Sequence, residues 1–363
     1  MRIGIDISQL VYKGSGVSRF MKGLVKTICE NDQENNWIFF FSSLRRSLEK
    51  DVEKQISKKG FNLIKYPLPP TLLSLLWNNM HVIKIEQLIG KLDWFITSDW
   101  TEPPTNCKKA TIVHDLAFLR YPETVDGKIR KTQFKRLERV KKESKIIFAD
   151  SKATKNDLVK FLDILNSRIV VNYPGVEINK PKQQQINKSL TKFKIKKSFI
   201  LSVGKIEPRK NIKKLIEAFV QLKTNKYELL IVGPEGWGAK PNSLRNVRFL
   251  GYVSDEELSA LYSRCICFAY PSIWEGFGYP IIEAMKLGTP VATSNNSSLK
   301  EIGDGAALLF DPFNISDIKR ALKKMIEDGD LRNELIKKGS ERAKIFAWKK
   351  YYQTMIKSLK NEN

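Results

Sequence analysis

The sequence predicts an α/β protein built from two successive parallel-sheet units. Three observations carry that expectation. Short, nearly continuous apolar runs alternate with amphipathic helical stretches, the pattern of strands buried on both faces. The alternation lapses over residues 177–197 and then restarts. The length of 363 residues is too great for one ordinary core.

The first unit opens with the strand IGIDI, followed by the turn-rich YKGSG and an amphipathic helix from Val17 to Glu30. WIFFFSS, FNLIKY, WFIT, ATIVHD, IIFADS and RIVVNY read as further strands. LLSLLWNNMHVIKIEQLIG and the segment from Lys128 to Lys145 read as helices between them. Residues 177–197 lose the apolar runs and gain Gln, Lys and Asn, the composition of a linker. The second unit then follows as SFILSVG (strand), NIKKLIEAFVQL (helix), YELLIVG and VRFLG (strands), DEELSALYSRC (helix), ICFAYPS (strand), YPIIEAMKLG (helix) and TPVATS (strand), with a lysine-rich helical stretch from Ile315 to Leu359. The expected division is 1–176, a linker 177–197, 198–340, and a terminal helix in 341–363.

Composition narrows the function. The 42% hydrophobic content excludes wholesale disorder, and no apolar run is long enough to span a bilayer. Asp6 interrupts the first apolar run, so no export signal is expected and a cytoplasmic location is. Four scattered cysteines and two histidines suit reduced thiols rather than a zinc site. A net charge of +24 favours anionic partners, whether nucleotides, nucleic acid or an acidic membrane surface. Residues 128–145 concentrate nine basic and two acidic side chains.

Ligands of open parallel sheets bind beyond the carboxyl ends of the strands, so polar residues immediately after each strand are the candidates. Five groups stand there. Gly14-Ser15-Gly16 precedes the first helix and reads either as an ordinary turn or as a phosphate-binding loop. In GKIEPRKN (204–211), Arg209 and Lys210 lie where a helix begins; cations there oppose the helix dipole, and a bound diphosphate would cancel that cost. In SIWEGFGYPIIEAM, Glu275 and Glu283 flank a Gly-Phe-Gly loop containing Phe277 and Gly278, and suit sugar and ribose hydroxyls. His114, with Asp115 beside it to fix the ring, follows the strand ATIV. Asn296, Ser297 and Ser298 lie in a polar loop after TPVATS, whose backbone donors suit a phosphate.

Together FGYPIIEAM with Glu275 eight residues ahead of Glu283, VGKIEPRKN, VRFLGYVSDEEL, VHDLAFLRYPE and YKGSGVSRF resemble family-4 retaining glycosyltransferases of the GT-B fold, with a flavour of bacterial O-antigen and surface-polysaccharide mannosyltransferases. The resemblance runs from Arg2 to Trp348. It implies two Rossmann-like domains facing across a cleft: an N-terminal acceptor-binding domain, a C-terminal one holding the nucleotide-sugar, and terminal helices, similar to FAWKKYYQTMI, crossing back to the first. By position it implies that Arg209 and Lys210 neutralise the donor diphosphate, with Gly204 in the same loop. Glu283 would bond the ribose and Glu275 the transferred sugar. Tyr252 and Val253 would meet the base through their backbones, Gly14 and Gly16 would close over the diphosphate, and His114 would approach the sugar. The loop at Asn296, Ser297 and Ser298 departs from the family, which has glycines there.

The implied reaction is retaining hexosyl transfer, mannose from GDP-mannose, to a glycan or lipid-linked acceptor. It would need no metal and no cofactor beyond the donor, and an anionic membrane surface would be a further partner. Two other readings stand beside it, a nucleotide-sugar epimerase of the same architecture and a basic nucleic-acid-binding protein. RNP aromatics and zinc-finger spacings are absent from the sequence, so nucleic acid is not an expected partner.

Overall fold

A computed structural model describes residues 1–12, 14–234 and 244–362. Lys13, part of the YKGSG turn, lies outside them. The chain divides into two compact units, Met1–Gly175 with Ala347–Asn363, and Val176–Phe346.

The first unit is a seven-stranded, all-parallel sheet of β1 (Arg2–Asp6), β2 (Asn36–Ser42), β3 (Asn62–Tyr66), β4 (Trp94–Ser98), β5 (Lys108–Val113), β6 (Ile146–Ala149) and β7 (Ile169–Val171), in the order β3-β2-β1-β4-β5-β6-β7. The register pairs Ile3 with Trp37 on one side and with Trp94 on the other. In the central pair, β1 is buried on both faces after its first residue and β4 throughout, because helices cover both sides. The helix Gly16–Asn31 buries Phe20, Met21, Leu24, Val25 and Ile28, and Ser15 caps its start by accepting from Ser18 N–H at 3.1 Å.

The final helix, Trp348–Asn361, belongs to this unit and packs on Gly16–Asn31. Trp348 lies so close to Gly23 and Gly175 that a Cβ at either would come within 2.2 or 2.3 Å of it. Asn172 Nδ2 donates to Tyr351 O at 3.0 Å and fixes the helix along its length.

The second unit repeats the plan with six parallel strands: β8 (Ser198–Val203), β9 (Tyr227–Val232), β10 (Val247–Gly251), β11 (Cys267–Tyr270), β12 (Val291–Ser294) and β13 (Leu308–Phe310), ordered β10-β9-β8-β11-β12-β13. Both sheets therefore reverse direction of growth at one place, between β1 and β4 in the first and between β8 and β11 in the second. Such a switch point leaves room for a ligand beyond the strand ends, since the two connecting loops run to opposite sides.

Two expectations need correction. Residues 177–197 are not a bare linker: Gln183–Lys192 is a helix packed on Asp255–Arg264, with Ile186 buried and Lys192 paired to Glu257 at 2.6 Å. The apolar spacing of Ile186 and Leu190 outweighs the Gln and Lys content around it. The stretch from Leu72 to Gly90 is not one helix either. It comprises the turn Pro70–Leu73, a π-helical segment Ser74–Met80 and the short helix Glu86–Ile89, broken where His81 (φ 57°) and Ile83 (φ 63°) adopt left-handed backbone.

Candidate active site

The second unit's switch point gathers three of the predicted side chains, Arg209, Lys210 and Glu275. The loop after β8 forms a single 3-10 turn, Pro208–Lys210, which presents Arg209 and Lys210 before the helix Ile212–Val220 begins. The loop after β11 lies against it, with Ile273 N–H donating to Arg209 O at 2.8 Å. Glu275, on this second loop, is the centre of the cluster. Its Oε1 accepts from Lys210 Nζ at 2.7 Å, Tyr270 Oη at 2.9 Å and Ser272 Oγ at 2.5 Å. Its Oε2 accepts from Arg209 Nη1 at 2.9 Å. Arg209 also reaches Trp274 O at 2.5 Å and Glu207 at 3.0 Å, and Lys210 donates to Tyr270 Oη at 2.8 Å.

The electrostatics follow from burial and this pairing. Burial alone would raise the pKa of Glu275; Arg209 and Lys210, with the bonds from Lys210 and Ser272, bring it down to about 2. Burial lowers the pKa of Lys210, and Glu275 opposes it. Burial and the neighbouring Glu275 push the Tyr270 phenol up, so it stays a neutral donor. Two cations in a buried site need anionic compensation. In this structure one carboxylate supplies most of it.

Around the cluster, backbone geometry is set by glycines. Gly278 (φ 114°) starts the helix Tyr279–Lys286, and a Cβ there would come within 2.9 Å of Leu299. Gly233, at the end of β9, has φ 145° and would place a Cβ 2.1 Å from Gly204 O, so the two strand ends touch through bare backbone. Ser298 Oγ donates to Phe277 O at 2.6 Å, while Ser297 Oγ accepts from Glu275 N–H at 3.3 Å. Glu283 is buried one turn into the helix Tyr279–Lys286, where Tyr262 Oη donates to it at 3.3 Å. Tyr252 is 79% exposed just beyond β10, and Val253 is buried.

In the first unit, the switch point holds the other candidates. Gly14 and Gly16 have open space, since a Cβ on either would meet nothing within 4 Å. His114 follows β5, but its partner is not Asp115. Its Nδ1 bonds Asp150 Oδ2 at 2.7 Å, from the end of β6, and its Nε2 lies 3.1 Å from Ser98 Oγ, at the end of β4. Asp115 instead accepts from Ala117 N–H and caps the next turn. Burial works against protonating His114, but the Asp150 carboxylate outweighs it and the pKa lies above its ordinary value. Phe20 packs edge-on to the ring, with centroids 4.7 Å apart.

Residues 183–342 match the family described as "Glycosyl transferases group 1". The chain is also 29% identical over 258 residues to the O-antigen chain mannosyltransferase B of Escherichia coli, covering 66% of this chain and 67% of that protein. The chain has the GT-B fold, and its residues 183–342 form a group 1 glycosyltransferase domain. It is 28% identical over 263 residues to the serotype-specific mannosyltransferase WbdA of Escherichia coli, covering 66% of this chain but only 32% of that protein. Among solved structures, this glycosyltransferase resembles the sucrose-phosphate synthase of Thermosynechococcus elongatus, with a TM-score of 0.74, 17% identity, and coverage of 99% of this chain and 98% of that one.

Sequence reasoning missed Tyr270, Ser272 and Tyr262 in the glycosyltransferase's second unit and Ser98 and Asp150 in its first. Tyr270 and Ser272 stand at the end of β11 and just past it, so the rule that singled out Glu275 applies equally to them. Asp150 lies 36 residues from His114, and only strand pairing brings them together. Among the described residues no group of three His, Cys, Asp or Glu side chains is placed to hold a metal ion.

Proposed function

We propose that this glycosyltransferase transfers mannose from GDP-mannose to a hydroxyl of a glycan or lipid-linked acceptor in surface-polysaccharide synthesis, with retention at the anomeric carbon and no metal. The observation that carries the reading is the partly buried pair Arg209 and Lys210 at a switch point, both held by Glu275, with Glu207 also pairing Arg209. A donor diphosphate brings the anionic charge these two cations suit. The names of the O-antigen mannosyltransferase relatives support the sugar and the pathway class.

In this reading the bond from the sugar C1 to the phosphate oxygen breaks as the acceptor oxygen bonds C1 on the same face. The acceptor proton passes to the departing phosphate. Arg209 and Lys210 stabilise the charge that develops there, which is worth most in a buried site. Glu275, released from the cations as phosphate takes its place, turns its carboxylate to the sugar hydroxyls. Glu283 bonds the ribose, and the backbones of Tyr252 and Val253 hold the base. Gly204, Phe277, Gly278, Ser297 and Ser298 supply short-range donors.

A thermal-shift panel of GDP, UDP and ADP, followed by donor-turnover assays, tests the reading. A nucleotide at 100 times its dissociation constant stabilises by about 2.7 kcal/mol. Stabilisation by GDP with turnover of GDP-mannose supports it; no shift with any of the three counts against it.

A further inference from the structure

The first unit holds a polar groove of about 460 Å³ at the amino ends of its strands, a size that suits a small ligand. It opens between the turn 31–35, which leads from the helix Gly16–Asn31 into β2, and the end of the helix Trp348–Asn361. The Met1 amine donates to Asn35 Oδ1 at 3.2 Å, so the groove also lies beside the start of β1. Its floor is rigid. Asp32 accepts from Glu34 N–H and Asn35 N–H at 2.9 Å each, from Asn35 Nδ2 at 2.9 Å and from Trp37 Nε1 at 2.6 Å. The Tyr352 hydroxyl bonds the same carboxylate, which locks its ring in the groove wall. These bonds use the roughly four acceptor sites that a carboxylate has. Burial would raise the Asp32 pKa, but the bonds from Trp37, Asn35 and Tyr352 outweigh it and keep the group below its ordinary value.

The lining charges cancel, Asp32 and Glu34 against Lys357 and Lys360, and Lys360 Nζ lies 2.7 Å from Glu34. In a chain of net charge +24, such a neutral lining is unlike an anion site. Five of the eleven lining residues are Asn or Gln. Among the described residues, the side-chain amides of Gln33, Gln353 and Asn361 bond no other protein group. Each of them offers two donors and an acceptor. Tyr352 and Ile356, one turn apart on the final helix, add an apolar strip beside them.

We propose that this groove is a saccharide site, separate from the donor site, that binds a neutral hexose stretch of a glycan chain. Free amides pair with sugar hydroxyls, while an aromatic ring beside an aliphatic side chain takes the C–H face of a pyranose. A nucleotide or phosphate would find no net positive charge there, and a metal ion no unpaired carboxylate. The inference rests on the reading of this protein as a glycosyltransferase of polysaccharide synthesis. Ligands of parallel sheets react beyond the carboxyl ends of the strands, so a glycan at the amino ends is held away from the reaction. The site then serves to retain a growing chain between transfers.

Saturation-transfer NMR on the full chain, titrated with α-mannotriose in the absence of any donor, tests it. Saturable binding is expected, and a neutral lining predicts that added salt leaves it unchanged. Gln33→Ala with Gln353→Ala should weaken it about tenfold, as the loss of two hydrogen bonds does. The melting temperature and donor turnover of that variant should stay as in the wild type, because both side chains are exposed and lie outside the donor site. Lys210→Ala should bind the trisaccharide as the wild type does. Trisaccharide binding without turnover of GDP-mannose would leave this site standing and count only against the donor reading. No saturable binding, wild-type affinity in the Gln33/Gln353 variant, or binding that disappears as salt rises would overturn the proposal.

Discussion

Lys210 Nζ and Glu275 Oε1 lie 2.7 Å apart, across two loops that leave the adjacent strands β8 and β11. Arg209 holds the other oxygen of the same carboxylate at 2.9 Å. The contact is intramolecular, yet both cations are the groups expected to face a ligand. Exchange of one anion for another at this place underlies the first two predictions.

Arg209→Ala and Lys210→Ala should each lower kcat/KM by roughly 2–4 kcal/mol of transition-state stabilisation. Steady-state kinetics on variants with intact circular dichroism spectra measures this. Near wild-type turnover in either variant would remove that residue from the mechanism.

Glu275 has a folded-state pKa of about 2 against an ordinary 4.5. A depressed carboxyl pKa adds stability above the unfolded value, and that stability is lost as pH falls through the folded one. The gap in stability between wild type and Glu275→Gln should therefore be full at neutral pH. It should close between about pH 4.5 and about pH 2. Urea melts across that range check the slope, and a constant gap would contradict the pairing.

Glu283→Gln should weaken nucleotide binding while leaving kcat nearly unchanged, because a ribose contact acts equally in ground and transition states. Glu275→Gln should instead lower kcat. Calorimetry with GDP separates them, and unchanged affinity in Glu283→Gln would refute the ribose assignment.

His114 and His81 are the two histidines of the chain, so proton NMR resolves the first against one other ring. Asp150→Asn should lower the His114 pKa, since the carboxylate that raises it is removed. The pairing adds stability below the ordinary histidine pKa that is lost as pH rises through the raised one, and the variant should lack that loss. The Asp115→Asn substitution should leave the titration nearly as it is.

Gly233→Ala would drive a Cβ to 2.1 Å from Gly204 O, where the obstacle is backbone. The expected loss is about 1–3 kcal/mol of stability, together with reduced turnover, because Gly204 leads into Arg209 and Lys210. Thermal melts and kinetics on the same sample test both.

Much of this arrangement was readable from residue order. Twelve of the strands coincide with apolar runs, and Arg209, Lys210 and Glu275 meet because strand-end loops meet at a switch point. Strand β13, Leu308–Phe310, was not expected. Asp150 was hidden for a different reason: a partner across neighbouring parallel strands leaves no local spacing. Arg136 was one of the nine basic side chains counted in residues 128–145, and only the packed helix shows it turned inward to Glu102, where a buried charge needs its pair. The helix Gln183–Lys192 was masked by polar composition although its few apolar residues carry the packing.

On the proposed reading, Arg209 and Lys210 exchange Glu275 for a nucleotide diphosphate. Calorimetric titration of the wild type and of Lys210→Ala with GDP and with GMP tests it most directly. GDP should bind the wild type much more tightly than GMP does, and Lys210→Ala should remove most of that difference. Equal affinities for GDP and GMP in the wild type, or a preference for GDP that survives Lys210→Ala intact, would contradict it.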